Sequence, residues 1–149
     1  MTDAKKKTYE GFTAEERAAM KEYADELKTT ARRGSRATKE DGEKDVLAKI
    51  AQMADADRLL AERVHAIVKE AVPELAPRTW YGMPAYAKDG AVICFFKPGA
   101  KFKMRYSELG FSDKANLDDG EMWPSAYALV KLTGAEEKKI AALVKHAAS

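Results

Sequence analysis

The hydrophobic period of this 149-residue chain changes once, at Pro73 and Pro77, and that change restricts the fold to helices followed by strands. Upstream, apolar residues recur every three or four positions. Downstream, they alternate or run together in short blocks bounded by turn residues. A chain of this length is read as a single folded unit with enough residues to bury a real core.

The helical half begins after a tail over residues 1–10. Thr13 and Glu16 have the spacing of a capping box, and Met20, Tyr23, Ala24, Leu27 and Ala31 follow at helical intervals. A basic Gly/Ser-containing linker runs from Arg32 to about Gly42. A second helix carries Val46, Leu47, Ile50 and Ala54. A third starts near Asp55, carries Leu60, Val64, Ile67, Val68 and Ala71, and is stopped by the prolines. The chain divides into a flexible tail (1–10), a helical N-terminal extension (11–54) and an α+β unit (55–149).

The strand half opens with Trp80-Tyr81-Gly82-Met83-Pro84-Ala85-Tyr86. Gly82-Met83-Pro84 reads as a shaped bend, because Gly accepts φ > 0 and Pro fixes φ. Arg78–Tyr81 and Ala85–Lys88 are short strands, and Asp89-Gly90 is a turn signal. Ala91–Phe96 is an unbroken apolar strand. Lys97-Pro98-Gly99-Ala100 suits a type II turn, and Lys101–Tyr106 alternates strictly. A polar loop over 107–120, a strand over 126–132 and a last helix opened by Thr133 and Glu136 complete the pattern.

Pairing Ala91–Phe96 with Lys101–Tyr106 around Pro98-Gly99 has a chemical consequence, since directly opposed residues share a face. One face carries Ile93, Phe95, Phe102, Met104 and Tyr106 and reads as core. The other sets Val92, Cys94 and Phe96 beside Lys101, Lys103 and Arg105. That surface suits a small anionic or amphipathic ligand, or an acidic protein segment, with Trp80, Tyr81 or Met83 closing one end. A covering helix would make the same strip purely structural. From Arg78 to Arg105 six cations face only Asp89. From Ser107 to Trp123 five carboxylates face only Lys114. The two segments could pair within one molecule or across a homodimer.

Sharper chemistry fails on spacing. Gly120 at the sixth position of an EF-hand puts Ala115 and Leu117 where carboxylates belong. Glu62 and His65 have the spacing of a di-iron helix, but that site needs a second copy and two further glutamates. Cys94 and both tryptophans read as core residues, and His146 suits a helix C-terminus. No nucleophile elbow, P-loop or dinucleotide motif occurs. No catalytic residue, metal ligand or cofactor is assigned. The net charge of +2 does not favour nucleic acid. No run of about 18 apolar residues exists and a single cysteine excludes an internal disulfide, so a cytoplasmic bacterial protein is the expectation.

The Tyr81-Gly82-Met83-Pro84-Ala85-Tyr86 segment, the strand-turn-strand block through Tyr106 and the C-terminal strand and helix resemble the YdhG-like bacterial family of unknown function. The resemblance covers roughly Asp55 to His146. It implies an α+β fold, a curved antiparallel sheet with helices packed against it, and it makes the helices before Asp55 an extension. Some relatives are labelled frataxin-like iron chaperones. Iron handling is therefore the alternative to a binding or accessory module, although the acidic ridge that such iron binding needs is here only one short loop.

Overall fold

A computed structural model of the chain describes residues 11–34 and 38–149. The tail expected over 1–10 lies outside the described residues, as do positions 35–37 of the basic linker. Helix α1 (Ala14–Arg33) opens on the expected capping box. The Thr13 hydroxyl accepts from the Glu16 amide at 3.0 Å, and the Glu16 carboxylate accepts from the Thr13 amide at 3.0 Å. Helix α2 (Lys39–Ala51) begins before Gly42, where the linker was expected to end. Its start is fixed by a second box, Thr38 with Asp41. Helix α3 (Asp55–Ala71) stops ahead of Pro73, and α4 (Gly134–Ala148) opens on the box of Thr133 and Glu136.

Five strands form one open antiparallel sheet in chain order: β1 (Ala76–Trp80), β2 (Met83–Lys88), β3 (Ala91–Lys97), β4 (Ser107–Phe111) and β5 (Ala126–Leu129). The architecture is α+β, as the change of hydrophobic period implied. Among the described residues no helix is long and apolar enough to cross a membrane.

Two tight turns shape the first hairpins. Tyr81 and Gly82 have φ of 53° and 74°, and Asp89 and Gly90 have 51° and 82°. Positive φ at both central residues is the type I′ geometry, whose twist matches the flanking strands. The expected bend thus sits one residue early: Met83 and Pro84 already belong to β2.

The predicted pairing of β3 with Lys101–Tyr106 does not occur. β3 pairs with β4, with Cys94 opposite Phe111, Phe96 opposite Leu109 and Lys97 opposite Glu108. Residues 98–106 form the connection between them. Its first part is a single helical turn closed in the Schellman manner: the Met104 amide donates to Gly99 O at 2.8 Å and the Lys103 amide to Ala100 O at 3.3 Å. Lys103 takes the left-handed position usually given to glycine, with φ of 53°. The strict alternation of Lys101–Tyr106 is therefore the alternation of a folded loop. Ser107–Phe111, expected as loop, is the true partner strand. Its Ser107, Leu109 and Phe111 alternate into the core, and Gly110 leaves room for the Phe95 ring, which a Cβ there would strike.

Ile93 is in the core as expected, but Cys94, Phe96 and Phe95 exchange faces. Tyr86, Cys94, Phe96, Leu109 and Leu129 pack against Val46 of α2, Val64 and Val68 of α3, and Ile140 and Val144 of α4. Cys94 and Phe96, expected to wall a binding face, have no solvent exposure. Phe95 lies on the opposite sheet face beside Trp80, with ring centroids 5.3 Å apart. Trp123, expected in the core, is exposed with Met122 and Val130 near β5.

Helix α1 does not turn its expected stripe inward, since Ala24, Leu27 and Ala31 face solvent. Only Ala19 of this helix is fully buried. By contrast α2 seats closely on β1. Gly42 makes that approach, because a Cβ there would lie 3.2 Å from the Pro77 carbonyl carbon and nearer still to its oxygen.

Candidate functional site

The first hairpin turn projects two backbone N–H groups toward α1. The amides of Tyr81 and Gly82 both donate to the Glu26 carboxylate, at 2.9 and 2.7 Å. Successive N–H groups in left-handed conformation form a concavity that favours anions. One helical turn earlier on α1, Glu22 lies between two ammonium groups: Lys49 of α2 at 2.9 Å and Lys101 of the 98–106 connection at 2.6 Å. Lys101 also donates to Gly82 O at 3.3 Å, tying the cations to the turn. Gly82 forms the floor. A Cβ there would collide with the Glu22 carboxylate and the Lys101 ammonium group, and φ of 74° already favours glycine.

Each donor is held by a different part of the scaffold. Lys49 projects from the helix seated on β1 through Gly42. Lys101 follows Ala100, whose amide donates to buried Asp57 at 2.9 Å, and the Ser107 hydroxyl donates to the same carboxylate at 3.1 Å. Ser107 in turn accepts from the Gly99 amide at 2.9 Å, so the start of the connection is anchored to both α3 and β4. Aromatic rings extend the site. Tyr23 of α1 stacks on Tyr81 with centroids 4.1 Å apart, and Trp80 meets Tyr81 edge-on at 5.1 Å. Two clefts meet here. One of about 410 Å³ lies between Met53, Gly82, Pro98 and Lys101. One of about 500 Å³ lies between Glu26, Asp45, Pro77 and Arg78. Glu22 and Lys49 line both.

Titration follows these surroundings. Burial raises the Glu26 carboxyl above its ordinary value, against the pull of the Gly82 and Tyr81 amides. Burial acts the same way on Glu22, but hydrogen bonds from Lys101 and Lys49 outweigh it and hold that carboxyl below the ordinary value.

The residues singled out from the sequence divide into two sets. Trp80, Tyr81 and Lys101 come together at the turn, with Met83 buried in the β2 position opposite Trp80. Lys103 and Arg105 do not join them. Lys103 pairs with Glu15 at 3.0 Å with its side chain 79 % exposed, and the Arg105 guanidinium lies 5.2 Å from the Tyr106 ring centroid. Cys94 and Phe96 lie in the core, and burial pushes the Cys94 thiol up to about 12. Within the basic segment, Lys101 and Lys103 pair with α1, while Lys97 lies opposite Glu108 of the acidic segment in the β3–β4 register. Glu22, Glu26 and Lys49 carried no local motif. The available signal was two carboxylates four residues apart on a helix, off its apolar stripe.

The Glu62 and His65 pair separates. Glu62 faces Arg58, while buried His65 bridges the Tyr86 hydroxyl (2.8 Å) and Glu43 (3.1 Å). With the Tyr86 O–H donating to Nδ1 and Nε2–H donating to Glu43, every partner is satisfied, and α2, α3 and β2 are joined. Among the described residues no group of three or more His, Cys, Asp or Glu side chains is placed to hold a metal ion. No family model, curated protein or solved structure matches the chain.

Proposed function

We propose that this chain is a binding module for an anionic ligand, taken at the β1–β2 turn by the Tyr81 and Gly82 amides with Lys49 and Lys101. The observation that supports this reading is the convergence of two backbone donors and two ammonium groups, all on carboxylates. Charge-assisted hydrogen bonds of this kind are roughly twice as strong as neutral ones. Trp80 and Tyr81 supply an apolar flank, so the ligand class is a carboxylate or phosphate attached to an apolar body. Lysines at this position favour compact anionic groups over the planar two-point recognition an arginine gives.

The same reading gives the Tyr81-Gly82-Met83-Pro84-Ala85-Tyr86 segment a purpose, and a YdhG-like relationship is proposed on that segment alone. Its first two residues are the anion donors, and Tyr86 anchors the strand through His65. The metal-ligand geometry of the described residues lends no support to iron handling.

The test is a titration of glutarate and of inorganic phosphate into Glu22→Gln/Glu26→Gln protein, followed by amide NMR. The Tyr81 and Gly82 resonances should shift saturably. Adding Lys101→Ala should weaken binding at least fivefold. Shifts that never saturate, or that ignore Lys101→Ala, would defeat the proposal.

A further inference from the structure

The cradle is already filled, and its occupant has a definite form. Glu22 and Glu26 stand one helical turn apart on α1, which matches the separation between the ammonium pair and the amide pair. Tyr23, next to Glu22, stacks on Tyr81 with its ring inclined only 10°. A free dicarboxylate offers the charges without the stack, whereas a helix offers both in fixed register.

The way α1 is held also matters. It buries only Ala19 fully and exposes Leu27, and Phe12 just ahead of its cap is exposed too. Beyond half-buried Met20 and the Tyr23–Tyr81 stack, its attachment is polar: Glu15 to Lys103, Glu22 to Lys49 and Lys101, Glu26 to the turn, and Arg33 to Asp45 at 2.7 Å. The exposed Lys103 end of this set exchanges readily with water and weakens in salt, whereas the half-buried Glu22 and Glu26 contacts are screened less. Val46 and Ile50 of α2, by contrast, are built into the core. The cradle is therefore a feature of the core unit, and α1 is a helix laid upon it.

Resting on the anion-binding reading, we infer that the cradle is a docking surface for an acidic helix with two glutamates four residues apart and an aromatic residue beside the first, and that α1 is its built-in competitor. A partner helix of this chemistry displaces α1 and takes over the Tyr81–Gly82 amides, Lys49 and Lys101. Cis attachment gives α1 a high effective concentration, so the free chain stays closed until a partner matches it. The charge pattern excludes a basic or neutral helix, which would leave two ammonium groups facing no carboxylate.

The experiment uses the full chain and a fluorescein-labelled peptide with the sequence of residues 13–33. In the Glu22→Lys/Glu26→Lys chain, α1 is repelled from Lys49 and Lys101 and the cradle is left open. The peptide should bind this variant at least tenfold more tightly than wild type by fluorescence polarisation. The same peptide carrying Glu22→Gln and Glu26→Gln should lose at least tenfold, and Lys101→Ala in the receptor should cost a similar factor. Where charge reversal lowers the melting point to the working temperature, the Glu22→Gln/Glu26→Gln chain replaces it with the same expected order.

Equal binding to wild type and to the opened chain overturns the inference, as does equal binding of the two peptides. Glutarate titrated into the same opened chain separates the two levels. Glutarate binding without peptide binding refutes the helix and leaves the anion site standing. Binding of neither refutes both.

Discussion

Gly42→Ala should destabilise the protein, although the same change in an ordinary helix would stabilise it. Alanine is better than glycine in a helix interior by about 1 kcal/mol. Gly42, however, faces the β1 backbone, and a Cβ there would fall inside 3.0 Å of the Pro77 carbonyl oxygen. Backbone cannot rotate away as a side chain can, so α2 must retreat by about 1 Å, and forced overpacking of this kind costs about 1–3 kcal/mol. A gap of that size forfeits roughly a quarter to a half of the affected dispersion contacts. Val46 and Ile50, both buried on this helix, would lose part of the roughly 1.5–3 kcal/mol each gains from burial. The net expectation is about 2 kcal/mol of destabilisation, a fall in Tm of roughly 6 °C for a chain this size. Urea melts of Gly42→Ala and of Gly134→Ala decide the matter. Gly134, at the first position of α4, has nothing within 4 Å of its Cβ direction, so its alanine should be neutral or stabilising. A Gly42→Ala protein as stable as wild type would refute the seating of α2 on β1, and with it the placement of Lys49.

Three further outcomes follow from the same geometry. Phe96→Ala should cost about 3–5 kcal/mol as a cavity in the core, whereas Lys103→Ala should change stability by less than about 0.5 kcal/mol; equal costs in denaturant melts would mean the sheet faces are misassigned. The Cys94 thiol, pushed up to about 12 by burial, should ignore Ellman's reagent in the native state and react only as fast as the chain unfolds, so a rapid native reaction would contradict its position. Glu26 is raised above 4.5 in the folded chain, chiefly by burial. Between that value and 4.5 the folded state binds more protons than the unfolded one, so stability falls as pH rises through the window and recovers on acidification. The stability of wild type relative to Glu26→Gln should therefore grow as pH drops from neutrality to 4.5, and a shrinking difference would reverse the assignment.

The elements that could be read from sequence are those whose signals are local. Thr13 with Glu16 and Thr133 with Glu136 cap helices through side chains three residues away, and Asp89-Gly90 closes a two-residue turn. β4 escaped because its evidence is distant: Gly110 looks like a loop residue until the Phe95 ring is placed against it. The alternation of Lys101–Tyr106 misled for the opposite reason, since period two arises in a folded loop as well as in a strand. An error of pairing partner carries face assignments with it, which moved Cys94 and Phe96 from a supposed binding wall into the core, while Ile93 stayed there. At the candidate site, Trp80, Tyr81 and Lys101 were legible as aromatics and cations near a bend. Glu22, Glu26 and Lys49 were not, because their roles depend on how α1 and α2 cross the turn and on backbone amides that have no letter in the sequence.

The distribution of work around the turn separates receptor from occupant. The amide pair is fixed by a type I′ hairpin, which needs positive φ at Tyr81 and Gly82 whether or not α1 is present. Lys49 is fixed by a helix pressed against the β1 backbone. Lys101 is fixed by a Schellman-closed turn pinned to buried Asp57 and Ser107. The backbone behind each donor thus has its own support, and none of the three supports uses α1. A site whose donors are placed in advance spends little free energy on ordering when something binds. What α1 adds is two carboxylates and one tyrosine ring, held by half-buried polar contacts and one ring stack with only Ala19 fully buried. The asymmetry has a measurable signature. Raising salt should loosen α1, seen as faster trypsin cleavage after exposed Arg32, while leaving the far-UV signal of the core unit in place. Loss of α1 and core together in one salt-dependent transition would show that the helix is part of the scaffold, and the cradle would then be only the place where it is bolted on.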